Sequence, residues 1–292
     1  MFDRWIPYQK HSQPYVVFQK YIKEVKRDYM SFKTSRMYVY KQLKSNNAKW
    51  TDAAYMHFSI QDKAITLKDW SKNFKKCEKW FLLNQQLAIT SILEIYFTTI
   101  IKTAFYSNPA LLLGYSHSID GLKFFKYQKV IKDELLSKKI EDCVKGEWSA
   151  RVRNIKTIFD DVESIFSSER ISILDKNRNL RNNIAHSFGR NLNKVHDVDA
   201  FETLELESFS EKQFYEYINV VCKIVEEVDI IMMNRHIGNF LPIKFLIDNY
   251  EVFNNKNQHN REKWLKENIR YRTNEKDIVS FVKWIIEYVN AL

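Results

Sequence analysis

The stretch NRNLRNNIAHSFGR, residues 177–190, combines one imidazole with several guanidinium and carboxamide groups inside a predicted helix. At about 100° per residue its polar side chains recur every fourth position, namely Arg178, Asn182, His186 and Arg190. Its apolar side chains form a second stripe about 160 to 200° away, namely Leu180, Ile184 and Phe188. If the apolar stripe packs on a core, then the polar stripe faces solvent, a substrate or a second subunit.

Helical periodicity continues on both sides of this stretch. Five glycines and four prolines leave little material for many tight turns or strands, so an all-α fold is favoured. Helices are predicted near residues 67–106, 129–143, 147–167, 169–189 and 210–235, and all but the second are expected to form a four-helix core. We predict a basic N-terminal helical region (1–69) with several short helical patterns, a core (70–236) and a C-terminal helical extension (237–292).

The positive charge is concentrated near the N-terminus. Residues 1–80 hold 17 Lys and Arg against 7 Asp and Glu, so this segment carries the whole net charge of +10. Such an asymmetry fits the capture of RNA or DNA, and it equally fits a lysine-rich surface that aids solubility. Aromatic residues lie between the cations at helical spacing from Tyr15 to Tyr29. They are suited to base stacking, although core packing is the commoner use of such a stripe.

Residues Arg181-Asn182-Asn183-Ile184-Ala185-His186 resemble the R-N-x-x-x-H form of the R-x(4 to 6)-H motif of the HEPN superfamily. HEPN proteins are all-helical ribonucleases of toxin–antitoxin pairs, abortive-infection proteins and RNA-targeting CRISPR effectors. The resemblance covers about residues 70–236 and implies a HEPN-like four-helix bundle. It implies catalytic roles for Arg181, Asn182 and His186, and the neighbouring Arg178 and Arg190 become candidates for RNA binding.

The same residues suit the metal-independent cleavage of RNA. The 2′-hydroxyl of RNA is the nucleophile, and the enzyme must move two protons and stabilise a charged phosphorane. An imidazole such as that of His186 transfers protons near neutral pH, and the guanidinium of Arg181 offers a fork of donors to phosphate. Neither a metal nor another cofactor is required. Since one motif supplies only one histidine, the resemblance implies a homodimer with a composite site at its two-fold interface.

One acid stands out in the predicted helix 67–106. Glu94 lies among apolar residues, where a carboxylate is costly unless it is paired. In many HEPN domains an acid on the corresponding helix supports the catalytic arginine, so the resemblance implies that Glu94 orients Arg181 or Arg178. An ion pair between Glu94 and Lys102 is the structural alternative.

Two positions depart from known HEPN subfamilies. Phe188 replaces the tyrosine of the R-x(4)-H-x-Y toxins, which excludes tyrosine modification as a control, and Ser187 replaces a second histidine that abortive-infection members often carry. The leading hypothesis is therefore an endoribonuclease, a phage-defence or toxin effector that an antitoxin or regulatory RNA could inhibit. The alternative is a non-catalytic RNA-binding or scaffold protein with the same fold.

Several features point to a cytoplasmic protein that does not enter a membrane. The N-terminus lacks the pattern of a secretory signal, and the three cysteines are widely spaced and odd in number. The most apolar stretch, 87–105, is interrupted by Glu94 and Lys102, which argues against a membrane span. The acidic run His196-Asp197-Val198-Asp199 is interpreted as a solvated turn and not as a metal site.

Overall fold

The computed structural model describes residues 2–60, 64–114, 118–126, 133–190, 206–269 and 275–292. These residues form twelve α-helices and two isolated β-bridges, so the predicted all-α fold is confirmed. The helices are α1 (Gln13–Ser45), α2 (Leu67–Ser107), α3 (Ala110–Leu113), α4 (Leu122–Lys126), α5 (Asp133–Val144), α6 (Trp148–Lys156), α7 (Ser168–Ser187), α8 (Glu211–Met232), α9 (Phe240–Asp248), α10 (Tyr250–Asn254), α11 (Gln258–Asn268) and α12 (Glu275–Ala291).

Two stretches differ from the predicted helices. The segment predicted to hold several short helices contains α1, which is one helix of 33 residues. It has no glycine or proline after Pro14, which lies in its first turn where proline is tolerated. The predicted helix 147–167 is shorter and stops as α6 at Lys156, and a 3₁₀ helix, Asp160–Ile165, follows it.

The chain forms two compact units, each built from separate stretches of sequence. Unit 1 contains Met1–Phe18, Leu93–Ile171 and Cys222–Leu292, and unit 2 contains Gln19–Ile92 and Ser172–Val221. The three consecutive segments described in the sequence analysis stay a prediction. Residues 177–190 belong to unit 2.

The core of unit 2 is formed by parts of α1, α2, α7 and α8. Phe32 on α1 stacks on Phe81 of α2 with ring centroids 4.6 Å apart, and Tyr29 contacts Phe214 of α8 at 4.9 Å. Ile22, Val25 and Tyr29 are buried, which confirms core packing for this part of the aromatic stripe. Within this unit α1 takes part in the core, whereas α6 belongs to unit 1, and the expected four-helix core stays a prediction.

The core of unit 1 contains an aromatic cluster and a buried carboxylate. Trp148 of α6 packs against Phe97 and Phe166, with ring centroids 5.3 and 6.1 Å away. Asp229 has no exposed side-chain surface and accepts hydrogen bonds from the Ser12 backbone N–H at 3.0 Å and the Tyr96 hydroxyl at 3.3 Å. Burial raises the pKa of Asp229, while the hydrogen bonds from Ser12 favour its charged form. The carboxylate thereby holds Ser12 at the start of α1.

Among the described residues, α2 is long and apolar enough in one window to cross a membrane. Just over half of that window is buried inside the protein, as expected for a core helix. Length and composition alone do not distinguish these two uses of a helix.

Candidate active site

Helix α7 buries nearly the face that the sequence predicts, because Ile184 is buried and Leu180 half-buried, whereas Phe188 is exposed. Its buried residues are Leu174, Asn177 and Ile184. Arg181 lies four residues after Asn177 and three before Ile184, so it falls on this buried side and is half-buried. The core-facing side of the helix thus carries the buried amide of Asn177 and the half-buried side chain of Arg181.

His186 is exposed in the last turn of α7. No described side chain hydrogen-bonds its ring. Asn182 is half-buried four residues earlier on the same face, as predicted. The structure therefore leaves the imidazole accessible to a substrate or to a second copy of the chain.

The guanidinium of Arg181 reaches from the buried side of α7 toward the polar stripe. His186 lies five positions after Arg181, which places their Cα–Cβ directions about 140° apart around the helix. The Nη1 of Arg181 nevertheless donates to the Oδ1 of Asn182 at 3.2 Å. Arg178 lies 3.4 Å from Asp175 through its Nε, so one of the predicted RNA-binding cations is part of an ion pair within the helix.

The end of α7 corrects two of the expected positions. The helix stops at Ser187, and Phe188 follows with a left-handed φ of 54°. Phe188 is 64% exposed and meets Trp80 of α2 edge to face at 4.5 Å, so it is not the third member of a core stripe. Arg190 lies beyond the helix, in an isolated bridge with Leu206, and its guanidinium is 5.7 Å from the centroid of the Phe188 ring.

Gly189 lets the residues after α7 pack closely against α2. Its backbone has a φ of 69°, and its N–H donates to the Asn183 carbonyl at 3.1 Å. A Cβ at this position would come within 3.2 Å of a methyl carbon of Leu83 and 3.5 Å of the Trp80 ring. The close approach holds the residues after His186 in a fixed position on α2.

We expect Gly189→Ala to destabilise unit 2 by about 1–2 kcal/mol through the left-handed φ, and further through crowding of Leu83. Urea unfolding measures the loss. Gly146→Ala is the matched control, because Gly146 has a φ of 86° and a Cβ added there would meet no described atom within 4 Å. The two variants share the backbone penalty, and an equal loss of stability in both would contradict the proposed crowding.

A buried polar network lies beneath the motif and has no counterpart in the sequence analysis. The Nε2 of Gln86, a fully buried residue, donates to the Asn177 carbonyl at 2.7 Å and to the Thr90 hydroxyl at 3.1 Å. The Thr90 hydroxyl also lies 3.0 Å from the Tyr217 hydroxyl. These bonds join α2, α7 and α8 inside unit 2. The pair Gln85-Gln86 within an apolar helix was the sequence signal for this network, because a buried side-chain amide needs hydrogen-bond partners.

Glu94 has a different partner from those expected. Its Oε1 accepts a hydrogen bond from Nη2 of Arg151 on α6 at 3.2 Å, and the Arg151 side chain is only 5% exposed. This contact lies within unit 1. The structure therefore gives Glu94 an ion-pair partner that the sequence analysis did not name, and its expected role at Arg181 or Arg178 stays a prediction.

A cavity of about 320 Å³ lies beside α7 within unit 2. Its polar lining comes from α7, α8 and the segment before α8, and includes Lys176, Asn179, Asn183, Glu207, Gln213 and Glu216. Neither Arg181 nor His186 lines it. Throughout the described part of the chain, no group of three or more His, Cys, Asp or Glu side chains is arranged to hold a metal ion. The run 196–199 lies outside the described residues.

Comparison with known proteins gives no relative for this chain. No protein-family model, curated protein or solved structure matches it. The resemblance to HEPN proteins at residues 181–186 accordingly stays a hypothesis.

Proposed function

We propose that this protein is a metal-independent endoribonuclease that cleaves RNA by attack of the 2′-hydroxyl on the adjacent phosphate. The observation that carries the proposal is the exposure of His186 at the end of a helix that also holds Arg181 and Asn182. His186 lies on a helix whose C-terminal end packs against α2. This packing gives the imidazole a defined position for proton transfer.

Each residue has a distinct role in this reaction. His186 transfers a proton, either from the 2′-hydroxyl or to the leaving 5′-oxygen. Arg181 stabilises the negative charge that develops on the phosphorane, because a guanidinium stays charged and donates to two oxygens at once. Asn182 holds the Arg181 guanidinium through the 3.2 Å hydrogen bond and contacts the phosphate or the imidazole. Arg178 and Arg190 bind neighbouring phosphates.

The reaction needs a second proton-transfer group, which we assign to a second copy of the chain. The Arg178, Asn182 and His186 side of α7 pairs with itself across a two-fold axis in this proposal. The two His186 side chains then serve as base and acid in one composite site. In a cell such an activity fits a toxin or phage-defence effector, and its expression should inhibit growth unless an antitoxin or RNA restrains it.

Incubation with a fluorescently labelled single-stranded RNA in excess EDTA tests the proposal. We expect cleavage to continue, and mass spectrometry of the fragments to show 2′,3′-cyclic phosphate and 5′-hydroxyl ends. A DNA oligonucleotide of the same sequence is the control and should stay intact, because it lacks the nucleophile.

Three results would contradict this mechanism. Loss of cleavage in EDTA would indicate a metal-dependent enzyme, and 5′-phosphate ends would indicate attack by water. RNA binding without any cleavage would favour the non-catalytic alternative.

A further inference from the structure

Five lysines form one stripe along the first part of α2. They are Lys68, Lys72, Lys75, Lys76 and Lys79, and all are exposed. Their helical positions fall within an arc of about 100°, and the stripe is roughly 16 Å long at a rise of 1.5 Å per residue. Like charges three and four residues apart repel one another on a helix, so this arrangement costs stability unless an anion binds to it.

No acidic side chain in the described ranges forms an ion pair with these lysines. Two acids lie on this part of α2. Glu78 pairs with Arg36 of α1, and Asp69 accepts a hydrogen bond from the Thr66 hydroxyl at 2.7 Å at the start of the helix. This hydrogen bond lowers the pKa of Asp69, and the nearby charges of Lys72 and Lys68 lower it further. Asp69 offsets part of the positive field at Lys68 and Lys72, and the field of Lys75, Lys76 and Lys79 stays available to an anion from outside.

The stripe leads to the end of α7, within unit 2. Lys79 is followed directly by Trp80, whose ring meets Phe188 at 4.5 Å. The backbone of Gly189 packs on Leu83, one turn further along α2. The lysines thus end next to the Trp80 ring that meets the exposed Phe188, two residues after His186 in the chain.

We propose that the lysine stripe 68–79 binds the backbone of single-stranded RNA and leads it to His186, where a base stacks on Phe188. This inference rests on the proposed function for the identity of the site that receives the RNA. Lysines at this spacing contact successive phosphates, and an exposed aromatic ring accepts a base only from an unstacked strand. Arg190 beside the Phe188 ring adds a cation at the same place.

The composition of the stripe favours RNA over a membrane surface. A helix that binds to a membrane inserts large apolar residues beside its cations. Over the described residues from Ile65 to Glu94, no large hydrophobic side chain is among the exposed ones. Exposed aromatic rings lie at both ends of the stripe, namely Phe188 after Lys79 and Trp50, whose backbone carbonyl accepts the Lys68 N–H at 3.0 Å.

The test measures RNA binding separately from cleavage. A fluorescein-labelled oligouridine 12-mer is titrated with full-length His186→Ala protein at several salt concentrations, and fluorescence anisotropy gives the Kd. The test variant adds Lys72→Gln, Lys76→Gln and Lys79→Gln. The matched control adds Lys138→Gln, Lys263→Gln and Lys283→Gln, which remove the same charge from exposed positions of unit 1.

We expect the stripe variant to bind at least about tenfold more weakly, whereas the control changes little. The slope of log K against log salt should fall in magnitude by about 0.7 for each lost lysine contact, hence by about 2. Phe188→Leu should weaken binding about fivefold with an unchanged slope, because stacking releases no counterions.

The outcomes separate this inference from the proposed nuclease. Equal weakening in both triple variants would overturn the stripe as a site, as would binding of the stripe to vesicles containing phosphatidylserine in preference to RNA. RNA binding that depends on the stripe would support the inference even if the wild-type protein cuts no RNA. Cleavage that depends on His186 but not on the three lysines would leave the nuclease in place and overturn the stripe.

Discussion

His186→Ala is expected to slow RNA cleavage by about 10²- to 10⁴-fold, the usual contribution of a positioned general acid or base. Because the His186 imidazole is exposed, its removal leaves no cavity, and the free energy of unfolding should stay within about 0.5 kcal/mol of the wild-type value. Arg181→Lys should also lose most of the activity. A lysine keeps the charge but not the planar fork that reaches Asn182 and the phosphate.

Single-turnover cleavage rates measure the chemical step without product release. Circular dichroism and urea unfolding establish that each variant is folded. Ser172→Ala is the control, because Ser172 is an exposed residue on the same helix. If His186→Ala cleaves at the wild-type rate, then the imidazole takes no part in the reaction.

Mixed dimers test the composite site directly. Differently tagged wild-type and His186→Ala chains are co-expressed, and the heterodimer is isolated through both tags. Two independent sites would leave about half the wild-type rate. A shared site that needs both imidazoles should leave far less than half, since every heterodimer then lacks one proton-transfer group.

The all-α fold and most helices were predictable because apolar periodicity and helix-stop signals are local. Asn108-Pro109 ends α2 where expected, and the Ser167 hydroxyl accepts a hydrogen bond from the Arg170 N–H as a helix cap should. The role of α1 was missed for a different reason. An amphipathic stripe shows that a helix buries one face, but it does not show which helices it packs against.

The candidate site was predictable in part for the same reason. The stripe spacing correctly placed Asn182 and His186 on one face, because both lie inside the helix. Phe188 and Arg190 were misplaced because the helix stops at Ser187, and helix ends depend on close contacts such as that of Gly189 with Leu83. The partner of Glu94 comes from α6, and no periodic pattern identifies a contact between side chains distant in sequence.

Arg4→Met is expected to lower the free energy of unfolding of unit 1 by about 3–5 kcal/mol, the usual cost of removing one partner from a buried ion pair. The Arg4 side chain is only 3% exposed and lies 3.3 Å from Asp120 through its Nε. Its Nη1 donates to the Ile237 carbonyl at 2.8 Å, and its Nη2 to the Ser107 carbonyl at 3.0 Å. Burial lowers the pKa of Arg4, and the Asp120 carboxylate opposes that effect.

The acceptors explain why one side chain matters so much. Ser107 is the last residue of α2, and Ile237 ends the π-helical turn that follows α8, so both carbonyls lie at helix ends that lack further partners within the helix. Arg4 supplies donors to both ends at once, and Asp120 also accepts a hydrogen bond from Tyr288 of α12. A methionine would fill the volume but remove the Arg4 donors from both carbonyls, leaving the Ser107 carbonyl with the Gly121 N–H at 2.9 Å and the Ile237 carbonyl with the Ser107 hydroxyl at 3.0 Å.

Urea unfolding followed by far-ultraviolet circular dichroism measures the change. Arg27→Met removes an exposed arginine from α1 and is the control, with an expected effect within about 0.5 kcal/mol. Arg4→Met/Asp120→Asn should lose less stability than the sum of the two single losses, because a neutral amide then replaces the unpaired carboxylate. A loss below about 1 kcal/mol in Arg4→Met would show that water or neighbouring groups replace the guanidinium, and that the N-terminal segment does not hold these helix ends together.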